Sequence, residues 1–236
     1  MRSSLYALLA GLLLVLPLSS PARGQAQPKA KGIESKGYVW NKMVGEEAEA
    51  LKLKGDPENG ADIFEVCSAC HLPSGAGRPD GTFPQLAGQH STVIIKQIAD
   101  IRAGRRDNPI MYPFAMTLDN AQDLADVAAY IQTLPIPRDN GKGPGTDLEH
   151  GAKLFHEKCV RCHGEHGEGK AEKFYPVLAG QHYKYMLRQI RDIQAKKRRN
   201  ANPDMVKVVA KLSDRDLQAV VDYLSRLEWP ERQAKK

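Results

Sequence analysis

The sequence predicts an all-α protein assembled from two copies of one small domain, and three observations predict it. Five blocks of sequence recur in the same order. Apolar residues in each copy fall at helical spacing, with no sustained alternation of the kind that marks a half-buried strand. Capping residues stand directly ahead of those helical runs.

The repeat carries the most weight. Gly60-Ala61-Asp62-Ile63-Phe64 returns as Gly151-Ala152-Lys153-Leu154-Phe155. Cys67-Ser68-Ala69-Cys70-His71 returns as Cys159-Val160-Arg161-Cys162-His163. Pro84-Gln85-Leu86-Ala87-Gly88-Gln89-His90 matches Pro176-Val177-Leu178-Ala179-Gly180-Gln181-His182, and Gln97-Ile98 and Asp100-Ile101 match Gln189-Ile190 and Asp192-Ile193. Blocks that keep one order and a nearly constant offset mark a duplication.

In chain order, residues 1–26 read as a secretory signal peptide. Arg2 supplies the positive start, Leu5 to Leu18 an apolar run broken by Pro17, and Gly24-Gln25-Ala26 a small-x-small cleavage site. The run is shorter than the ~20 residues that span a bilayer comfortably. A periplasmic protein is therefore expected, with an uncleaved membrane anchor as the alternative. Residues 27–55 match neither copy. They form an N-terminal extension with an apolar cluster at Tyr38, Val39 and Trp40 and a helix expected through Glu46–Leu53.

The first domain is assigned to 56–135. Asp56 caps its first helix and Pro57 takes the first helical position. Its last helix begins at Asn120 with Asp123 three residues on, a capping-box arrangement, and then sets Leu124, Val127, Ala128, Ile131 and Leu134 on one face. A Pro- and Gly-rich linker is expected over 136–147. The second domain covers 148–230, where Ser213 and Asp216 repeat the cap and Leu217, Val220, Val221, Leu224 and Leu227 repeat the apolar face; 231–236 is a tail. Domains this small bury only a thin core. A large apolar cofactor would give their helices something to pack around.

The 236 residues carry a net charge of +6, of which Arg2 and Arg23 belong to the expected leader. The remainder is mildly basic, unlike a nucleic-acid binder.

Cys67-x-x-Cys70-His71 and Cys159-x-x-Cys162-His163 are c-type haem attachment motifs. Two thiols one helical turn apart can form thioethers with the two vinyl groups of one haem, and the adjacent histidine then faces the iron. Competing readings are a zinc site from both C-x-x-C pairs, disulfides, or a dithiol redox motif, which needs a βαβ context. The sixth ligand must come from elsewhere in each copy, and the methionines are the first candidates. Met111 and Met205 each follow an Asn-Pro pair and stand equally far ahead of Leu118 and Leu212, whereas Met116 faces Ala210 in the other copy. The plainer alternative is that these methionines fill gaps in the core. His90 and His182 recur too, and they are expected to pack or cap at a helix start rather than to bind iron. His150, His156 and His166 have no counterpart and are expected at the surface.

With both haem motifs, both P-x-L-A-G-Q segments and both methionines, residues 57–230 resemble the tandem dihaem cytochromes c of the cytochrome c-four type, built from two class I domains. The resemblance implies two tandem class I cytochrome c domains, each wrapped around one covalent haem c with His/Met ligation. It also implies that the carbonyls of Pro84 and Pro176 accept the proximal histidine protons, although each proline could equally just turn the chain. Ligands on both axial positions leave the iron no vacancy, and all four cysteines are committed, so the expected role is electron transfer rather than catalysis. Expected partners are a quinol-oxidising complex, a terminal oxidase or a periplasmic dehydrogenase, the protein being a free carrier or, alternatively, the dedicated haem electron-accepting subunit of such a dehydrogenase. Finally, Lys184, Arg188, Arg191, Lys196, Lys197, Arg198 and Arg199 form a basic run against Asp192. It is either a solvated helix face or a docking patch for an acidic partner.

Overall fold

The computed structural model describes residues 26–232. The expected leader, save Ala26, and residues 233–236 of the tail lie outside them. Among the described residues the regular structure is helical, and the only β contact is one isolated bridge between Lys170 and Tyr175.

A short helix α1 (Glu46–Ala50) closes the extension. It is shorter than expected because the amides of Lys52 and Leu53 bond three residues back and tighten the chain into a turn. The first copy contributes α2 (Pro57–His71), α3 (Ser91–Arg102), α4 (Tyr112–Ala115) and α5 (Ala121–Thr133). The second contributes α6 (Leu148–Lys158), α7 (Val160–His163), α8 (Tyr183–Gln194), α9 (Pro203–Val209) and α10 (Asp214–Leu224). Where α2 runs unbroken to its histidine, its counterpart is interrupted at Cys159, whose amide still donates to Phe155.

The caps form as their residue types dictate. Asp56 accepts from the Glu58 amide, Asn120 from those of Gln122 and Asp123, and Ser213 and Asp216 close a reciprocal box. In the first copy the Asp123 carboxylate reaches back one residue further, to the Asp119 amide.

Each copy is organised by the crossing of its first and last helices, α2 on α5 and α6 on α10. Gly60 and Gly151 sit at the crossings, where a Cβ would overlap the backbone of Asp126 and Ala219. Beside them Phe64 packs on Tyr130 and Phe155 on Tyr223, with ring centroids 5.4 and 5.6 Å apart. Two separate apolar cores follow, one around Phe64, Leu124 and Ile131 and one around Phe155, Leu217 and Val220.

The copies meet through polar groups related by a pseudo-twofold. Arg106 donates to Gln97 of its own copy and Gln189 of the other; Arg198 donates to Gln189 of its own and Gln97 of the other. The expected linker lies on the protein rather than spanning a gap, with Ile136 fully buried against Val177 and Ala179. Asn140 donates to the carbonyls of Gln181 and Ser225. The extension crosses both copies: Ala30 bonds Gly104, Ile33 bonds Arg199, the Tyr38 hydroxyl donates to Ala201 and Trp40 stacks on Tyr175.

Candidate functional site

The chemistry-bearing residues gather twice, once in each copy. Cys67, Cys70 and His71 occupy the final turn of α2, and Leu72 ends that helix at positive φ. Cys159, Cys162 and His163 occupy the equivalent turn around α7, ended by Gly164 at positive φ. Glycine takes that conformation without strain.

Both histidines are buried. His71 Nδ1 lies 2.9 Å from the Pro84 carbonyl and His163 Nδ1 lies 3.3 Å from that of Pro176. A carbonyl can only accept, so the ring proton sits on Nδ1 and the lone pair on Nε2. Burial pushes both rings below the usual histidine range, against the upward pull of the carbonyls, so each ring is a neutral imidazole at neutral pH. That is the form a metal needs. Phe83 and Tyr175 fill the equivalent positions beside the two rings.

The thiols are free within each pair. Burial pushes Cys67 and Cys159 up to about 11. A dithiol oxidoreductase needs the opposite, a first cysteine well below its ordinary value. Among the described residues no three Cys, His, Asp or Glu side chains converge as a metal cluster.

Each methionine packs against the same core as the first cysteine of its copy. Met111 caps α4 and packs against the first core, while Met205 lies within α9 against the second. Each follows its Asn-Pro pair for a local reason: Asn108 accepts from the Met111 amide and Asn202 from that of Asp204. Sequence reasoning missed what holds these loops. Arg102 at the end of α3 donates to the carbonyls of Ala115 and Leu118 at 2.8 and 2.6 Å; Gln194 at the end of α8 donates to those of Val209 and Leu212, both at 2.8 Å. Different residue types do one job, so the repeat did not reveal them. Met116 is 42% exposed and turned away from the core.

His90 and His182 occupy the N-cap positions of α3 and α8, but neither ring bonds its own helix. His90 Nε2 bonds the Glu168 carbonyl and His182 Nε2 that of Ala76, each in the opposite copy. His182 Nδ1 also accepts from the Gly141 amide, so that ring has no nitrogen left for iron. His150 and His156 instead pair with Asp216 and Glu165. The basic run divides. Arg198 and Arg199 turn inward, Arg199 onto Glu34 and Asp107, while Arg188 donates to Gly81 and Arg191 pairs with Asp214. Lys184, Lys196 and Lys197 stay exposed.

In each copy, then, two thiols and a neutral imidazole share one turn, and a methionine packs against the same core. This donor set fits a haem attached by two thioethers, with nitrogen and sulfur available to its iron. The family model for cytochrome c matches residues 57–135 and again 148–228. Cytochrome c4 of Azotobacter vinelandii is 36% identical over 190 residues, covering 73% of this chain and 90% of that protein. The thiosulfate dehydrogenase electron acceptor of Stutzerimonas stutzeri is 30% identical over 204 residues, covering 78% and 94%. The crystal structure of reduced cytochrome c4 from Pseudomonas stutzeri superposes with a TM-score of 0.65 at 32% identity, over 74% of this chain and all of that one.

Proposed function

The chain belongs to the cytochrome c family as a tandem, dihaem electron-transfer member with two covalent haem c groups, and we propose that it ferries electrons between periplasmic redox complexes without catalysis of its own. In this reading Cys67 and Cys70 hold one haem and Cys159 and Cys162 the other. His71 and Met111 would bind the first iron, and His163 and Met205 the second. The domains then run over 56–135 and 148–230.

A haem iron with both axial positions filled exchanges electrons and offers no site to a substrate. Everything else is done by the chain. The Pro84 and Pro176 carbonyls orient the two imidazoles and raise their strength as donors. Arg102 and Gln194 hold the methionine loops, and the paired cores keep water away. The observation that carries the reading is the double occurrence of one arrangement: a buried imidazole whose Nδ1 is held by a proline carbonyl, its thiol pair on the same turn, and a methionine whose loop is tied to the preceding helix.

No described helix is long and apolar enough to cross a membrane. The periplasmic location rests on the leader motif and on the character of the relatives. A second reading, dedicated acceptor of one dehydrogenase, draws support from the relative named for that task. Co-purification with a catalytic subunit at fixed stoichiometry would favour it. The primary test is a redox titration of the purified holoprotein. Two haems per chain, both showing in the oxidised state the long-wavelength band of thioether-ligated iron, are expected. A high-spin haem would overturn the reading.

A further inference from the structure

The two copies grip one another by the same peptide units that orient their buried histidines. The peptide joining Pro84 to Gln85 is bonded on both sides: its carbonyl accepts from His71 Nδ1 at 2.9 Å and its N–H donates to Gln181 Oε1 at 3.0 Å. Gln181 Nε2 then donates back to the Gln85 carbonyl at 2.9 Å. The opposite side repeats the pattern. The Pro176 carbonyl accepts from His163 Nδ1, the Val177 amide donates to Gln89 Oε1 at 2.9 Å, and Gln89 Nε2 donates to the Val177 carbonyl at 3.0 Å. Gln85 and Gln181 are buried, and no other partner takes the Gln85 amide.

A peptide whose N–H is hydrogen-bonded carries a more negative carbonyl oxygen, and bonds in such a chain strengthen one another. A histidine that donates to a stronger acceptor is in turn a stronger ligand and favours the higher oxidation state of its metal. We propose that Gln181 and Gln89 are positioning residues acting in trans: each sets the reduction potential of the haem in the other copy through the peptide beside its proximal histidine. The inference rests on His71 and His163 being the iron ligands. It explains why the glutamine recurs in both copies, since an interface related by a pseudo-twofold needs it twice.

The test is Gln181→Met in the holoprotein, with each haem followed separately through a redox titration by the NMR signals of its own methionine ligand. Weakening the bond to Pro84 should lower the oxidised-to-reduced ratio of the His71 haem about threefold at a fixed potential, or about 30 mV at 59 mV per tenfold, with the His163 haem unmoved. Gln89→Met should do the mirror image, and it decides the matter should the first variant not fold. Gln181→Glu keeps an acceptor for the Gln85 amide and should not raise the potential of the His71 haem. Arg188→Ala removes a different contact between the copies, its 2.8 Å bond to the Gly81 carbonyl, and should leave both potentials in place. A shift in the substituted copy's own haem, an equal shift in both, no shift, or the same shift from Arg188→Ala would each overturn the proposal. A wild-type protein lacking two methionine-ligated haems would instead overturn the functional reading beneath it.

Discussion

At the scale of single residues, the sites depend on side chains whose neighbours leave them one role. Met205→Ala should remove half of the long-wavelength absorption of the oxidised protein and let one of the two reduced haems bind carbon monoxide. Met116→Ala should change neither, because that side chain is exposed; spectrophotometric titration separates the outcomes. Asp216 is held down to about 2 by the Ser213 hydroxyl first, then by His150 and the Ser213 amide. A depressed carboxylate stabilises the fold above its unfolded value, about 3.9, and that contribution is lost as pH falls towards 2. Asp216→Ala should therefore cost about 1 kcal/mol at neutral pH, the usual size of a lost cap, and the deficit should vanish in acid; urea unfolding at both pH values checks this. The cysteines and their adjacent histidines were legible because their chemistry fixes their spacing, whereas Met111 and Met205 stood out only by their matching register in the repeat. Arg102 and Gln194 were not, because reaching a carbonyl across a loop leaves no local pattern.

At the scale of helices, the duplication shows itself as a repeated crossing rather than as repeated length. The break at Cys159 and the short α4 against the longer α9 show that helix boundaries drift between copies. The contacts at Gly60 and Gly151 do not drift, because two backbones meet there. Gly151→Ala should consequently cost about 1–3 kcal/mol by overpacking, despite alanine's better helix propensity. Thermal unfolding would show it as a lowered Tm with the haem content unchanged. Capping residues and apolar faces predicted these helices well, since both signals are local. The destination of the basic run was not local: α8 ends near the other copy, and Arg198 and Arg199 are drawn inward by Gln97, Asp107 and Glu34. Two cations of the expected patch thus turn inward, while Lys184, Arg188, Arg191, Lys196 and Lys197 stay exposed.

At the scale of the whole molecule, one carboxylate joins its three parts. Asp100 on α3 is fully buried, paired with Lys96 at 2.9 Å and with Arg105, and it accepts from Asn200 of the second copy at 2.8 Å. Lys96 and Arg105 also face Glu47 of the extension, and Lys96 lies over the Trp40 ring. Burial works against the Asp100 charge, yet Lys96 with the bonds from Asn200 and Arg105 outweighs it, and the carboxyl ends below its ordinary value. Burial prevails at Glu47, which ends above its own. The two groups therefore act with opposite sign. Asp100 stabilises the fold above the ordinary carboxylate value and loses that contribution as pH falls below it towards the lowered value of the folded state. Glu47 costs stability while ionised, and protonation relieves the cost. Asp100→Asn leaves Lys96 and Arg105 with Glu47 alone, so it should cost about 3–5 kcal/mol at neutral pH, as expected for breaking a buried ion pair from one side. The loss should shrink only in stronger acid, below the ordinary carboxylate value, where wild-type Asp100 is itself neutralised. Because Asn200 and the extension share the same carboxylate, the variant should also separate the unfolding of the two copies. Calorimetry would show one transition in the wild type becoming two. A single transition at unchanged Tm would mean that Asp100 does not couple the two copies.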